Sequence, residues 1–68
     1  MIFLITYDLN SDDKDYNILY DKIKSMGECF HPLESVWFLR SEQNANTIVD
    51  DLREAMNVGD HIFVVDIT

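Results

Sequence analysis

A chain of 68 residues predicts one small domain, which would bury only about 60% of its unfolded surface on folding. Its hydrophobic content of 47% excludes a disordered chain, and none of its apolar runs reaches the ~20 residues that a membrane-spanning helix needs. Its net charge of −8 disfavours general binding to nucleic acid, because phosphate backbones are held by Lys and Arg. The same charge is compatible with binding to a basic protein partner.

The first half of the chain predicts a strand followed by a helix. Residues 2–7 are apolar and rich in β-forming types, and Asp8 ends the run. Residues 10–13 are polar and turn-forming. A helix is predicted over residues 13–26, because apolar side chains then recur at helical spacing: Tyr16, Leu19, Tyr20, Ile23 and Met26. Gly27 follows, where a left-handed helix cap is favoured.

The second half predicts two strands, a helix and a final strand. The strand over residues 28–31 ends at Pro32, which cannot donate a ladder hydrogen bond, so we expect it at an edge of the sheet. A third strand covers residues 35–40, and residues 41–44 can turn and cap. A second helical stripe follows, formed by Ala45, Ile48, Val49, Leu52 and Met56. Gly59 and Asp60 end it, and residues 61–67 form the last strand.

The order β-α-β-β-α-β is that of the ferredoxin-like α+β fold. The prediction is therefore one domain over residues 1–68, with a four-stranded antiparallel sheet and two helices on one face. Right-handed crossovers would place the first and third strands at the centre of the sheet.

The predicted strands are apolar on both faces. A sheet covered by helices on one side usually alternates apolar with polar residues, but residues 2–5, 36–39 and 62–65 are continuous apolar runs. The sheet face away from the helices therefore needs a cover, and no third layer is left in the chain. A homodimer packed sheet on sheet is the simplest cover, and a different protein is the alternative.

Asp8 is the candidate for chemistry. A carboxylate at a strand end can bind Mg²⁺, which prefers oxygen ligands, and two copies of Asp8 across a dimer axis would make a better site than one. The alternative is an Asx turn formed by Asp8 and Asn10. Asp12, Asp13 and Asp15 are expected to complement the start of the first helix without any chemistry.

Four other residues admit two interpretations each. His31 and His61 can act as a base or a metal ligand, but neither has a neighbour at ligand spacing, so surface imidazoles are expected. Cys29 is the only cysteine, which excludes a disulfide within the chain and fits a reducing cytoplasm, where we expect it buried and inert. Trp37 could stack on bases, but few basic residues accompany it, so a core or interface position is favoured.

The motifs "ITYDLN", Gly27 and "LESVWFL" resemble the CRISPR-associated protein 2 family. "HPLESVWFL" is also similar to the short SinR-like relatives that lie near that family and the VapD toxins. The resemblance implies a ferredoxin-like homodimer in which Asp8 lies at the interface, where its two copies hold a divalent metal. It also implies that Tyr7, Ser35 and Trp37 shape that interface.

The resemblance implies two kinds of activity. Some members are metal-dependent nucleases that act on RNA or DNA, and others are structural adaptors in spacer integration. The expected function is therefore a small cytoplasmic homodimer that can act as a metal-dependent endonuclease, with Asp8 as the catalytic residue and Mg²⁺ as the cofactor. A non-catalytic acidic module that binds a basic protein, and a structural or regulatory dimer, stay open as alternatives. The acidic surface weighs against the adaptor role.

Overall fold

The computed structural model describes residues 1–10 and 16–67. Its elements follow the predicted order: β1 (Ile2–Asp8), α1 (Asn17–Ser25), β2 (Glu28–Leu33), β3 (Val36–Arg40), α2 (Ala45–Arg53) and β4 (His61–Asp66). The strands form one antiparallel sheet in the order β2-β3-β1-β4. This is the predicted ferredoxin-like fold, with β1 and β3 at the centre and β2 at an edge.

The core lies between the sheet and the two helices. Every second residue of β1 is buried, as the two-residue period of a strand requires when one face is covered. The buried apolar side chains are Phe3, Ile5, Tyr7, Tyr16, Leu19, Ile23, Trp37, Leu39, Ile48 and Leu52. Among the described helices, none is both long and apolar enough to cross a membrane.

Most element boundaries lie within about three residues of the predicted ones, and those of the first helix and β2 need an explanation. The described part of the first helix begins at Asn17, and residues 13–15 of its predicted extent lie outside the described residues. β2 continues through Pro32 to Leu33, with an irregular register between Phe30 and Leu33. A proline and a bulge are tolerated there because an edge strand can leave part of its hydrogen-bond ladder unmade.

Gly27 is required for a reason other than the predicted left-handed cap. Its φ of +156° lies far from the left-handed helical region, and α1 ends on Met26 in ordinary right-handed geometry. A Cβ atom on Gly27 would overlap the carbonyl oxygen of Arg40, which belongs to the neighbouring strand β3. A glycine therefore lets the chain enter β2 in close contact with β3.

The predicted cap of the second helix is confirmed. Asn44 has extended backbone geometry, and its side-chain oxygen accepts a hydrogen bond from the Thr47 amide at 2.8 Å. This satisfies one of the amides that a helix start leaves without an intrahelical partner.

The sheet surface away from the helices, here called the outer face, carries exposed apolar side chains. It consists of Ile2, Leu4, Thr6, Asp8, Glu28, Phe30, Leu33, Val36, Phe38, Arg40, His61, Phe63 and Val65. Phe30 and Phe63 retain 65% and 60% of their accessible surface. The expectation that both sheet faces are apolar is therefore confirmed in the described chain.

Candidate functional site

Asp8 ends the central strand β1 on the outer face, and His61 lies directly opposite it at the start of β4. Both residues are exposed. The next pair along the two strands is Thr6 and Phe63. These residues surround an open hollow of about 240 Å³, whose lining consists of Thr6, Tyr7, Asp8, His61, Ile62 and Phe63.

The donors at this end of the sheet suit a metal ion but do not complete a site. Directly opposite residues of an antiparallel pair have Cβ atoms about 5 Å apart, so an Asp oxygen and a His nitrogen can converge on one point. Among residues 1–10 and 16–67, however, no three His, Cys, Asp or Glu side chains are grouped closely enough to hold a metal ion. Asp12, Asp13 and Asp15 lie outside the described residues. Further ligands would have to come from water or from a second copy of the chain.

The predicted Asx turn between Asp8 and Asn10 is replaced by a longer-range contact. The Asn10 amide donates to the carboxylate of Asp60 at 2.8 Å, and the Asn10 side-chain amide donates to the carbonyl oxygen of Gly59. The chain after β1 is therefore held against the turn that precedes β4, which leaves Asp8 free of the turn role.

Asp60 is the residue on which this end of the sheet depends. Its side chain is almost fully buried, at 2% exposure, and both carboxylate oxygens accept from the Tyr16 hydroxyl, at 3.0 and 3.2 Å. The amides of Asn10 and Asn57 also donate to it, each at 2.8 Å. These two backbone hydrogen bonds are the main reason that the pKa of Asp60 lies below its ordinary value.

Asp60 joins three separate segments of the chain near the candidate site. It links the segment after β1, the residue before α1 and the α2–β4 turn, so it holds together the segments that adjoin Asp8 and His61. The sequence prediction treated Asp60 only as the end of a helix. The turn-forming run Asn57-Val-Gly-Asp60 was the one available signal, because Asn and Asp often bond nearby amides in turns.

Tyr7 and Trp37, which were expected to shape a dimer interface, lie on the helix side of the sheet and are buried. The indole nitrogen of Trp37 donates to the Tyr7 hydroxyl at 2.9 Å, and that hydroxyl donates to the Glu34 carbonyl oxygen at 2.8 Å. Burial raises the pKa of Tyr7 to about 12, although the hydrogen bond from Trp37 acts in the opposite direction. Any effect of these two residues on a contact at the outer face would therefore be indirect, and their interface role stays a prediction.

His31 and Ser35 lie near the turn between β2 and β3. The His31 ring stacks on Trp37, with ring centroids 3.7 Å apart, and its Nε2 lies 2.9 Å from the Glu34 carbonyl oxygen. Because a carbonyl only accepts, that nitrogen carries the proton. Ser35 is half-buried beside an open hollow of about 250 Å³ that Tyr20 and Asp8 also line. Its interface role likewise stays a prediction.

Cys29 lies on the edge strand β2 and is exposed, so the expectation that it is buried is wrong. Its register partner Leu39 is fully buried, but β2 is exposed along its whole length in the described chain. An edge strand has one neighbour only, which leaves such a side chain open to solvent.

Comparisons with known proteins identify the fold and no family. No family model matches the chain, and neither does any curated protein. The chain is similar to a solved structure described as a hypothetical protein TT1823 from Thermus thermophilus, with a TM-score of 0.69 and 20% sequence identity. The match covers 98% of this chain and 80% of that one, which supports the ferredoxin-like fold.

Proposed function

We propose that this protein is a cytoplasmic homodimer that cleaves phosphodiester bonds in RNA or DNA with a divalent metal ion, in the manner of the CRISPR-associated protein 2 and VapD group that its sequence resembles. The observation that supports this is the position of Asp8. It ends a central strand on the apolar outer face, so a dimer formed through that face can place two copies of Asp8 together.

The charge distribution on the outer face favours a second copy of this chain as the cover. Its charged residues lie at the two ends, with Asp8 at one end and Glu28 and Arg40 at the other. The rows between them are apolar or neutral, including Leu4, Thr6, Val36, Phe38, Phe63 and Val65. Two chains of net charge −8 can therefore meet through this face without opposing like charges at its centre.

Asp8 would hold the metal, and the apolar rows beside it would exclude water from the rest of the interface. A bound divalent cation would supply an activated water and stabilise negative charge on phosphate. It would also offset the shortage of basic residues, since the chain has only five Lys and Arg. A small metal site needs fewer basic residues than binding along a phosphate backbone does.

The proposal is tested by nuclease assays on labelled single- and double-stranded RNA and DNA with Mg²⁺ or Mn²⁺. We expect cleavage that disappears with chelator and in Asp8→Asn, while the variant stays folded and dimeric by circular dichroism and light scattering. Asp50→Asn is the matched control, because Asp50 is an exposed carboxylate on α2. Equal activity of Asp8→Asn and the wild type would overturn the assignment.

A second candidate is a non-catalytic acidic module that binds a basic protein through its outer face. The net charge of −8 favours it, because such a partner would be attracted over long range at low salt. It predicts no cleavage with any metal, and a complex with a basic protein that weakens steeply as salt rises. A dimer with neither activity nor partner would leave the structural or regulatory role.

A further inference from the structure

We propose that His61 is a second metal ligand beside Asp8, and that the site prefers a first-row transition-metal ion to Mg²⁺. The inference rests on the proposed homodimer, because one chain supplies two protein ligands and the site is completed by the Asp8 and His61 of a second copy.

The strand register places the two donors together. Asp8 and His61 are direct partners in the β1–β4 ladder, so their side chains leave the sheet on the same face. Both are exposed, and both line the same hollow. Metal ions bind carboxylate oxygens and imidazole nitrogens at about 2.0–2.2 Å, which side chains about 5 Å apart at Cβ can both reach.

The two histidines of the chain differ in how they are held. His31 is engaged, because its ring stacks on Trp37 and its Nε2 contacts the Glu34 carbonyl oxygen. His61 is exposed and lies directly opposite Asp8 in the β1–β4 ladder. His61 therefore already lies beside Asp8 at the hollow, whereas His31 would have to break existing contacts to bind a metal.

The donor chemistry gives the metal preference. Two chains would contribute two carboxylates and two imidazoles. Imidazole suits transition metals, whereas Mg²⁺ prefers oxygen ligands and keeps several waters. For a mixed nitrogen and oxygen set, affinity increases from Mn²⁺ towards Co²⁺ and beyond. A site made of Asp8 carboxylates alone would show this preference less strongly.

The test is calorimetric titration of CoCl₂ and MgCl₂ into the full chain, with visible absorption of bound Co²⁺ as a second readout. All proteins carry Cys29→Ser, because the exposed thiol is a competing soft ligand. We expect one Co²⁺ per two chains, bound at least about tenfold more tightly than Mg²⁺. His61→Gln should weaken Co²⁺ at least about tenfold and change its spectrum, since losing even outer-shell partners costs about 10–100-fold. The control His31→Gln should bind as the parent does.

Unchanged Co²⁺ affinity and spectrum in His61→Gln would overturn the inference, and so would one independent ion per chain. These readouts separate the inference from the proposed nuclease function. If cleavage requires Asp8 but Co²⁺ binding is unchanged in His61→Gln, the inference about His61 fails and the nuclease proposal stands. Shared Co²⁺ binding that weakens in His61→Gln, without any cleavage, supports the inference and defeats the nuclease proposal.

Discussion

Replacing Tyr7 with phenylalanine tests whether this residue is part of a buried hydrogen-bond network. The change removes one oxygen and leaves the indole N–H of Trp37, a side chain with 1% exposure, without its acceptor. An orphaned buried donor costs about 1–3 kcal/mol. The Glu34 carbonyl oxygen loses the Tyr7 hydroxyl as a donor but keeps the His31 ring nitrogen, so this loss adds little to the cost in unfolding free energy. For a domain of this length, whose total stability is of the order of 3–10 kcal/mol, such a loss is large.

The assay is urea unfolding followed by far-ultraviolet circular dichroism at one fixed protein concentration, because a dimer's stability depends on concentration. If the unfolding free energy falls by about 1 kcal/mol per M urea, the urea concentration at the unfolding midpoint should fall by about 1–3 M. A double-mutant cycle with Trp37→Phe isolates the contact, since Tyr7→Phe should cost less where the indole is already absent. If Tyr7→Phe changes the unfolding free energy by less than about 0.5 kcal/mol in the wild-type background, the network does not stabilise the fold.

Three further changes test other parts of the structure. Gly27→Ala should destabilise the chain by at least about 1–3 kcal/mol in urea unfolding, because its Cβ would overlap the Arg40 carbonyl oxygen; wild-type stability would contradict this packing. Asp60→Asn should lower the unfolding free energy at neutral pH. The difference in unfolding free energy from the wild type should shrink as the pH falls below the unfolded pKa of about 3.9 and through the lower folded pKa. A difference that stays constant from neutral to strongly acidic pH would refute the role of that carboxylate. Phe63→Lys should shift the protein from dimer to monomer in sedimentation velocity without unfolding it, because this side chain is 60% exposed in the single chain; an unchanged dimer would place the interface elsewhere.

The features that follow from short-range sequence pattern were predicted correctly. The apolar runs and helical stripes give the order of the elements, and Asn44 caps its helix through an amide three residues away. Pro32 marks the edge strand even though β2 continues past it. In each case the physical cause lies within a few residues of the signal.

The contacts that define the candidate site depend on residues far apart in the chain. Asp8 meets His61 only because β1 and β4 pair in one particular register. Asp60 becomes a hydrogen-bond centre only when Tyr16 and Asn10 are folded against its turn. The family resemblance assigns Tyr7 and Trp37 to an interface, and that role stays a prediction. Strand alternation places both side chains on the helix side of the sheet, where Trp37 has the core position that its sequence context also favours.

The proposed metal site requires that two chains bring their Asp8 residues together across the outer face. The most direct measurement is cross-linking of Asp8→Cys by a short bismaleimide, in a Cys29→Ser background that removes the other thiol. The matched control is Asp50→Cys, which places the thiol on α2, in the helix layer on the other side of the sheet. We predict that Asp8→Cys gives covalent dimers in high yield and that Asp50→Cys does not. Equal, low yields from both variants would show that the two Asp8 residues do not meet in the dimer.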